Sequence, residues 1–496
     1  MKGVVFMSTT VKDKNTIYWI HVAVFLLITF GFGFLPPIAQ ITPMGMKVLG
    51  VFLGVIYGWL FIALDWPSLV ALLALGVSGY AANIQDLFVS GWSYYVIPTT
   101  ILCYLFAEAL TKTQFTQFIT NKLMSIKLFN GKPYMLMLGI LLAAELMFIL
   151  RCGMAGMFLL WSMVAVIAEK AGYSKVNKFT AIMVPAILVV YVLSNFMFPF
   201  NAGSLVMIGL FQNGMAATMP GIEVSFLGWT LWWLIFTTVY ILAWVAVVKF
   251  IFRYRFDEIA SLGDELQKMG DANQKMNFDQ KFGLTILVLF IFGMFLPELL
   301  PDGWAFTQLL SKLGLMGMLT IALCVMCAFQ KSKGQPFMTL QGASKGIQWN
   351  IIWLLVATEP IANAFNATEC GIMPSIMAVV TPILTQMSPT VFLLATMLIL
   401  GLITQVVHNF VLMVVFIPLL APMYAGMGGN PFVLLMGYIL ILNMALSTPA
   451  ASYTSALMFG QMADDKKNAY IQGFTHFVFS FVLFALVGWP LATILL

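Results

Sequence analysis

Charge is what this 496-residue sequence has least of: only 9% of its residues are Asp, Glu, Lys or Arg, against about a quarter in ordinary globular chains. With 61% apolar residues and a mean hydropathy of +0.97, the chain cannot cover itself with a water-soluble surface, and a soluble domain of this size is excluded. Histidine is scarce, with three residues, and so is cysteine, with five. Cys324 and Cys327 form a CxxC inside an apolar run. No second pair accompanies it to complete a metal site, so it reads as helix core. His, Asp and Glu show no metal-ligand spacing, and there is no nucleophile motif and no nucleotide loop, which argues against an enzyme. The formal net charge of +5 does not mark a nucleic-acid partner, because the basic residues sit at the ends of apolar segments and orient them. Residues 1–16 are short and polar, and the apolar segment after them lacks a small-residue cleavage signature. They read as a cytoplasmic leader, not a removed signal peptide.

What is there is a succession of apolar segments, and one of them organises the rest. Between Lys132 and Lys170 lie 37 residues with a single cation, Arg151, near the midpoint. As helix this run is roughly 55 Å long, too much for one crossing of a hydrocarbon core of about 30 Å. Lys122, Lys127 and Lys132 precede it and Lys170, Lys175 and Lys178 follow it, which places both ends on the cytoplasmic side. Either two legs form a re-entrant hairpin with Arg151-Cys152-Gly153 at its tip, or two full spans meet in a tight turn with Arg151 at the far interface. Legs of about 18 residues with no polar loop between them favour the hairpin. A cation buried at such a tip is a functional-site candidate.

Before this run, apolar stretches at 17–36, 45–64, 67–80 and 95–111 predict four helices. Residues 81–94 read as an outer interfacial segment with Trp92 and Tyr94 as belt residues, and 112–132 as a basic amphipathic stretch on the cytoplasmic surface. After the hairpin, 178–212 is a helix interrupted by Pro199-Phe200-Asn201-Ala202-Gly203-Ser204. Such residues break a helix, freeing carbonyls and opening a new helix N-terminus within the membrane; an ordinary capped kink is the plainer alternative. A helix at 226–252 leads to a linker, 253–281, with 11 charged residues. Helices at 282–299, 313–329 and 350–366 follow, with Lys331 and Lys333 in an inside loop.

The run 390–424 has no basic residue at either end and carries Gln405-Val406-Val407-His408-Asn409-Phe410 at its middle, the hairpin again from the opposite face. The segment 432–462 is a second broken helix, around Ser452-Tyr453-Thr454-Ser455, and 470–494 is the last helix. Lys and Arg collect in the loops assigned inside, whereas outside loops carry Asp86, Glu223, Glu298, Asp302 and Glu369. The N-terminus then lies in the cytoplasm and the C-terminus outside. At a shift of 251 residues Ser204 falls on Ser455, Met207 on Met458 and Gly209 on Gly460; the tip residues Arg151 and His408 lie 257 apart. The order hairpin, broken helix, in opposite orientations, predicts an inverted repeat: 17–252 (scaffold helices 17–111, hairpin 133–169, broken helix 178–212) and 282–496 (scaffold helices 282–366, hairpin 390–424, broken helix 432–462, last helix 470–494). The expected architecture is an all-α polytopic membrane protein with about 11 transmembrane helices and two re-entrant hairpins.

At these residues the chain resembles the divalent anion–sodium symporter family, within the wider ion transporter superfamily. That family carries Ser-Asn-Thr at each hairpin tip, matched here by Arg151-Cys152-Gly153 and His408-Asn409-Phe410, of which only Asn409 keeps the family residue. Its Thr-Pro-Pro-Asn-like turns correspond to Asn201-Ala202-Gly203-Ser204 and Ser452-Tyr453-Thr454-Ser455. The resemblance implies a homodimer working as an elevator in the cell membrane, di- or tricarboxylate or sulfate substrates, and sodium at each tip. Arginine offers only donors and keeps its charge, so beside Arg151 a sodium ion would be repelled. The guanidinium is expected to replace that sodium and to hold a carboxylate bidentately. The other reading makes Arg151 structural, paired with Glu145, Glu108 or Glu359, in a sodium- or proton-coupled symporter or antiporter. His408 either couples to protons, since an unperturbed imidazole titrates near pH 6.5, or stays neutral and bonds local backbone. Asn409, Ser452 and Ser455 are the candidate ligands for a second sodium. No other cofactor is expected.

Overall fold

A computed structural model describes residues 11–113, 118, 132–150, 153–260, 275–301, 303–330, 336–375, 378, 382, 387–449 and 451–496. Arg151 and Cys152 lie outside the described residues, as do residues 1–10 of the leader and 261–274 of the linker. In chain order the main helices are α1 (Val11–Gly31), α2 (Pro43–Phe61), α3 (Trp66–Val77), α4 (Ile84–Ser93), α5 (Val96–Thr111), α6 (Pro133–Ile149), α7 (Gly153–Lys170), α8 (Lys178–Asn195), α9 (Ala202–Met215), α10 (Phe226–Ala246), α11 (Phe278–Leu299), α12 (Ala305–Ala328), α13 (Trp349–Asn366), α14 (Pro389–Ile403), α15 (Asn409–Gly426), α16 (Pro431–Asn443), α17 (Tyr453–Gln461), α18 (Lys466–Leu483) and α19 (Trp489–Leu495). Among the described residues eight helices are long and apolar enough to cross a membrane, or nine if α4 and α5 make one bent span, and four shorter apolar helices join them. The chain is a multi-pass membrane protein.

Helix ends follow local chemistry. Thr42, Asn83, Asn177 and Ser225 each accept a hydrogen bond from the backbone N–H three residues on, and Asn277 with Gln280 completes a capping box. The interfacial segment 81–94 is mostly the short helix α4, which Asn83 starts. The helix expected at 313–329 begins eight residues earlier, at Ala305, because Gly314 (φ +53°) adds a kink within α12 instead of a start.

The chain divides into two compact units, one of Met1–Pro98 with Gln348–Ser388, the other of Thr99–Ile347 with Pro389–Leu496. In the first, α2 packs on α1, α3 and α13. Gly50, Gly54 and Gly58, four residues apart, form its contact stripe: a Cβ at Gly54 would lie 2.1 Å from Thr29 Oγ1, and one at Gly50 2.5 Å from Phe32 Cβ. Between membrane helices the apolar driving force is small, and close backbone approach supplies the packing instead.

In the second unit α8 and α16 are the axes. Nearly every residue of both is buried, from Phe179 to Ser194 and from Val433 to Leu442. A helix apolar all round belongs in the interior. Legs α6 and α7 pack on α8, and legs α14 and α15 pack on α16. α10 adds an aromatic spine, with Trp229, Trp232, Trp233, Tyr240 and Trp244 all buried. Its N-terminus is capped from a distance: the Glu298 carboxylate, at the end of α11, accepts from Ser225 Oγ (2.6 Å), Phe226 N (3.0 Å) and Leu227 N (3.2 Å). An anion on three donors at a helix N-terminus is favourable. Glu298→Gln is therefore expected to lower stability in detergent by about 0.5–2 kcal/mol; an unchanged melting temperature would speak against the cap.

Candidate functional site

The sequence order of leg, tip, leg, helix, break, helix occurs twice in the second unit. The legs have 17, 18, 15 and 18 residues, so each is roughly 22–27 Å long, at or below the lower limit for crossing a hydrocarbon core of about 30 Å. The first pair of legs ends at Ile149 and resumes at Gly153, the second pair is separated by 404–408, and the breaks lie at 196–201 and 444–452. Both helices before a break end in asparagine, Asn195 and Asn443. Both are followed by a short helix, α9 or α17, that starts inside an apolar stretch.

The second tip and the second break are hydrogen-bonded into one piece. Gln405 is buried and uses its whole amide. Its Nε2 donates to Gly401 O (2.8 Å) and Met444 O (3.0 Å), and its Oε1 accepts from Leu446 N (3.2 Å) and Ser447 N (2.9 Å). Its backbone carbonyl accepts from Thr448 Oγ1. Nearby, Asn409 Nδ2 donates to Asn443 Oδ1 (2.9 Å) and Thr404 Oγ1 to Leu442 O (3.2 Å). Non-helical backbone at membrane depth must find its partners inside the protein, and Gln405 is how this break does so.

Of the residues singled out in the sequence, His408 caps α15: its Nδ1 accepts from Phe410 N at 3.3 Å, and His408, Asn409 and Phe410 are all half-buried. This is a bond to local backbone, through the imidazole nitrogen that carries no proton. Ser452 is buried and caps α17; its Oγ accepts from Ser455 N (3.1 Å), donates to Ala445 O (2.9 Å), and lies 3.0 Å from Thr454 Oγ1. Ser455 Oγ reaches Thr448 O (2.7 Å) and Leu446 O (3.2 Å). Thr454 is buried, while Tyr453 is 58% exposed and opens α17.

The first break is tied more sparsely. Asn201 turns its amide back to donate to Asn195 O, leaving the first N–H groups of α9 without a side-chain cap. Ser204 Oγ donates to Phe196 O at 3.3 Å, the counterpart of Ser455 reaching back to Leu446. Trp229 Nε1 also donates to Phe196 O (2.7 Å), and Cys103 Sγ to Phe200 O (3.0 Å). Gly203 is half-buried. A cavity of about 20 Å³ lined by Cys103, Phe106, Phe198, Phe200, Asn201 and Leu287 sits against this break, room for about one water. Gly153 opens α7 with φ +56°, a left-handed conformation that suits glycine at the tip. The two breaks interlock through their neighbours, since α9 packs on α15 and α17 packs on α8.

Chemically, four helices (α7, α9, α15 and α17) begin within apolar runs, each offering backbone N–H groups and the positive end of a dipole. Around the second break there are carbonyls, hydroxyls and amides. Among the described residues no group of His, Cys, Asp and Glu could hold a metal ion. Gln405, Asn443, Ser447 and Thr448 were not picked out as site residues in the sequence. The only signal was a polar residue in an otherwise apolar run.

No family model matches the chain. Over 280 residues it is 21% identical to the sodium-dependent dicarboxylate transporter SdcS of Staphylococcus saprophyticus, a match covering 55% of this chain and 52% of that one. The chain thus spans about half the length of this curated relative. Its backbone is similar to the crystal structure of the YdaH transporter of Alcanivorax borkumensis, with a TM-score of 0.57 and 13% identity, over 82% of this chain and 89% of the other. The resemblance read from the hairpin and broken-helix residues stands. This chain and that of YdaH share a backbone fold.

Proposed function

We propose that this protein is a secondary transporter of small organic anions of the di- and tricarboxylate class. In this reading Arg151 supplies at the first tip the positive charge that a sodium ion supplies elsewhere. The observation that carries the reading is the second tip and break, bonded to each other through Gln405 and Asn409 inside an apolar unit. Rigid polar backbone at membrane depth suits ion and substrate sites. Helix N-termini favour anions, and a bidentate guanidinium matches a carboxylate. The sodium-dependent dicarboxylate relative points to the same substrate class and coupling ion.

Sodium, as co-substrate, is assigned to the second half, at Asn409 with the turn Ser452–Ser455. Ser447 contributes there as well, a buried hydroxyl with no partner among the described residues. The resemblance also supports a homodimer in which the hairpins and broken helices move together as an elevator, with the N-terminus in the cytoplasm and the C-terminus outside.

Uptake of labelled succinate, citrate and sulfate into proteoliposomes, with and without sodium and with each anion preloaded, tests this. Accumulation of at least one anion, with first-order dependence on sodium, is the expected result. A steeper sodium dependence would mean that ions occupy both tips and would remove the role given to Arg151. No uptake or exchange of any of the three would remove the substrate class.

A further inference from the structure

One buried carboxyl takes no part in the site above. Glu145, on the hairpin leg α6, is 5% exposed and faces α10. Its Oε1 and Oε2 lie 3.0 and 3.3 Å from Thr238 Oγ1, and that same oxygen is 2.9 Å from Leu234 O, one turn back on α10. The threonine hydroxyl has one proton for these three acceptors. A helical threonine can give its proton to the carbonyl four residues back or to the carboxyl beside it. When the proton goes to Leu234 O, the threonine oxygen faces the carboxyl with lone pairs only, and the 3.0 Å contact is then made by a proton on the carboxyl.

The surroundings agree. α6 packs on α7, α8, α10 and the short helix Asp257–Ala260. The charged residues of these elements are Glu169 and Lys170 at the end of α7, Lys178 at the start of α8, and Asp257 and Glu258 in the short helix. α10 carries none, only Tyr240, while α8 adds Tyr191 and α6 itself Tyr134. Arg151, six positions on, lies outside the described residues. Met135, Leu142 and Leu146 on α6 and Leu234 and Ile235 on α10 are exposed apolar side chains on the same two helices. Among the described residues, an ionised carboxylate at Glu145 would have Thr238 alone as donor for its charge. Such burial is expensive, whereas the acid form satisfies both Thr238 and Leu234.

We infer that Glu145 is a proton-binding site in the membrane-embedded protein, an acid whose hydroxyl donates to Thr238. Resting on the transport reading above, we further assign its proton to the transport cycle: it is released and regained as the α6 leg moves against α10, so that a proton travels with the anion.

Infrared spectroscopy of the full-length protein in liposomes at neutral pH tests the first half without any transport assay. A protonated-carboxyl C=O band, shifting in D2O, should be present in the wild type and missing in Glu145→Gln. In Thr238→Val the band should move to higher frequency, because the acid loses its acceptor. A wild-type spectrum that loses no such band in Glu145→Gln overturns the proposal, as an ion pair with Arg151 would require. For the second half, a pH gradient should drive labelled anion uptake by the wild type. Glu145→Gln, with an unchanged melting temperature, should lose that gradient-driven component. Persistence of the component in the variant overturns the coupling. Should the wild type carry no anion under any gradient, the transport reading and the coupling fall together, and the infrared band decides proton binding alone.

Discussion

Replacing Gln405 with leucine is expected to abolish transport and to lower stability by about 2–4 kcal/mol. The side chain is nearly isosteric in reach, so the loss is one of hydrogen bonds and not of volume. Ser447 N would lose its acceptor, and Met444 O and Gly401 O would each lose a donor. Leu446 N would keep its bond to Met444 O at 3.0 Å and suffer less. Each buried backbone group left unpaired costs about 1–3 kcal/mol. Gln405→Glu separates the donor role from the acceptor role. Ionised, the new side chain still accepts from Leu446 N and Ser447 N but sets an oxygen against two carbonyls. Protonated, it restores the donor. The variant's stability should therefore rise as pH falls through its carboxyl's titration and drop as pH rises. A thermal-shift series across pH checks this, and a flat profile would show that donation to Met444 and Gly401 does not matter.

The second large effect concerns Arg151. Arg151→Ala is expected to remove anion binding, with a loss of about 2–5 kcal/mol, roughly 30-fold or more in affinity, while the protein still folds and inserts. Arg151→Lys keeps the charge but not the planar fork, and should retain only part of the affinity for dicarboxylates. Binding measured by substrate protection against heating, alongside the melting temperature of the unliganded variant, reads both quantities. A variant that fails to fold would mark the arginine as a structural ion-pair partner. So would an infrared change at Glu145 on replacing Arg151, since that carboxyl would then be answering to the guanidinium and not to Thr238.

These expectations rest on features of unequal visibility. The tips and breaks could be located along the chain because the bilayer has a fixed thickness. An apolar run of 37 residues is too long to cross once, and Pro-Phe-Asn-Ala-Gly-Ser in sequence interrupts a helix. The capping serine of the second break, Ser452, was legible for a similar reason, since serine before a helix satisfies N–H groups that are local to it. Gln405 could be seen as polar in an apolar run, but its partners lie about 40 residues further on, and one residue has no periodicity from which to read a direction. Thr238 gave less still: in sequence it is an ordinary helical threonine, and only the packing of α10 on α6 sets it against Glu145.

What the amino-acid order determined alone, then, is the membrane class, the succession of apolar segments, and where those segments break, because each follows from chain length, solvent and local backbone chemistry. What only the tertiary structure decided is how the buried polar groups are paired. Gln405 goes to the break at 444–448, Glu298 to the start of α10, and Glu145 to Thr238, 93 residues away. The physical reason is that a hydrogen bond inside a bilayer depends on which helix faces are brought together. That is set by packing summed over whole helices and is written at no single position.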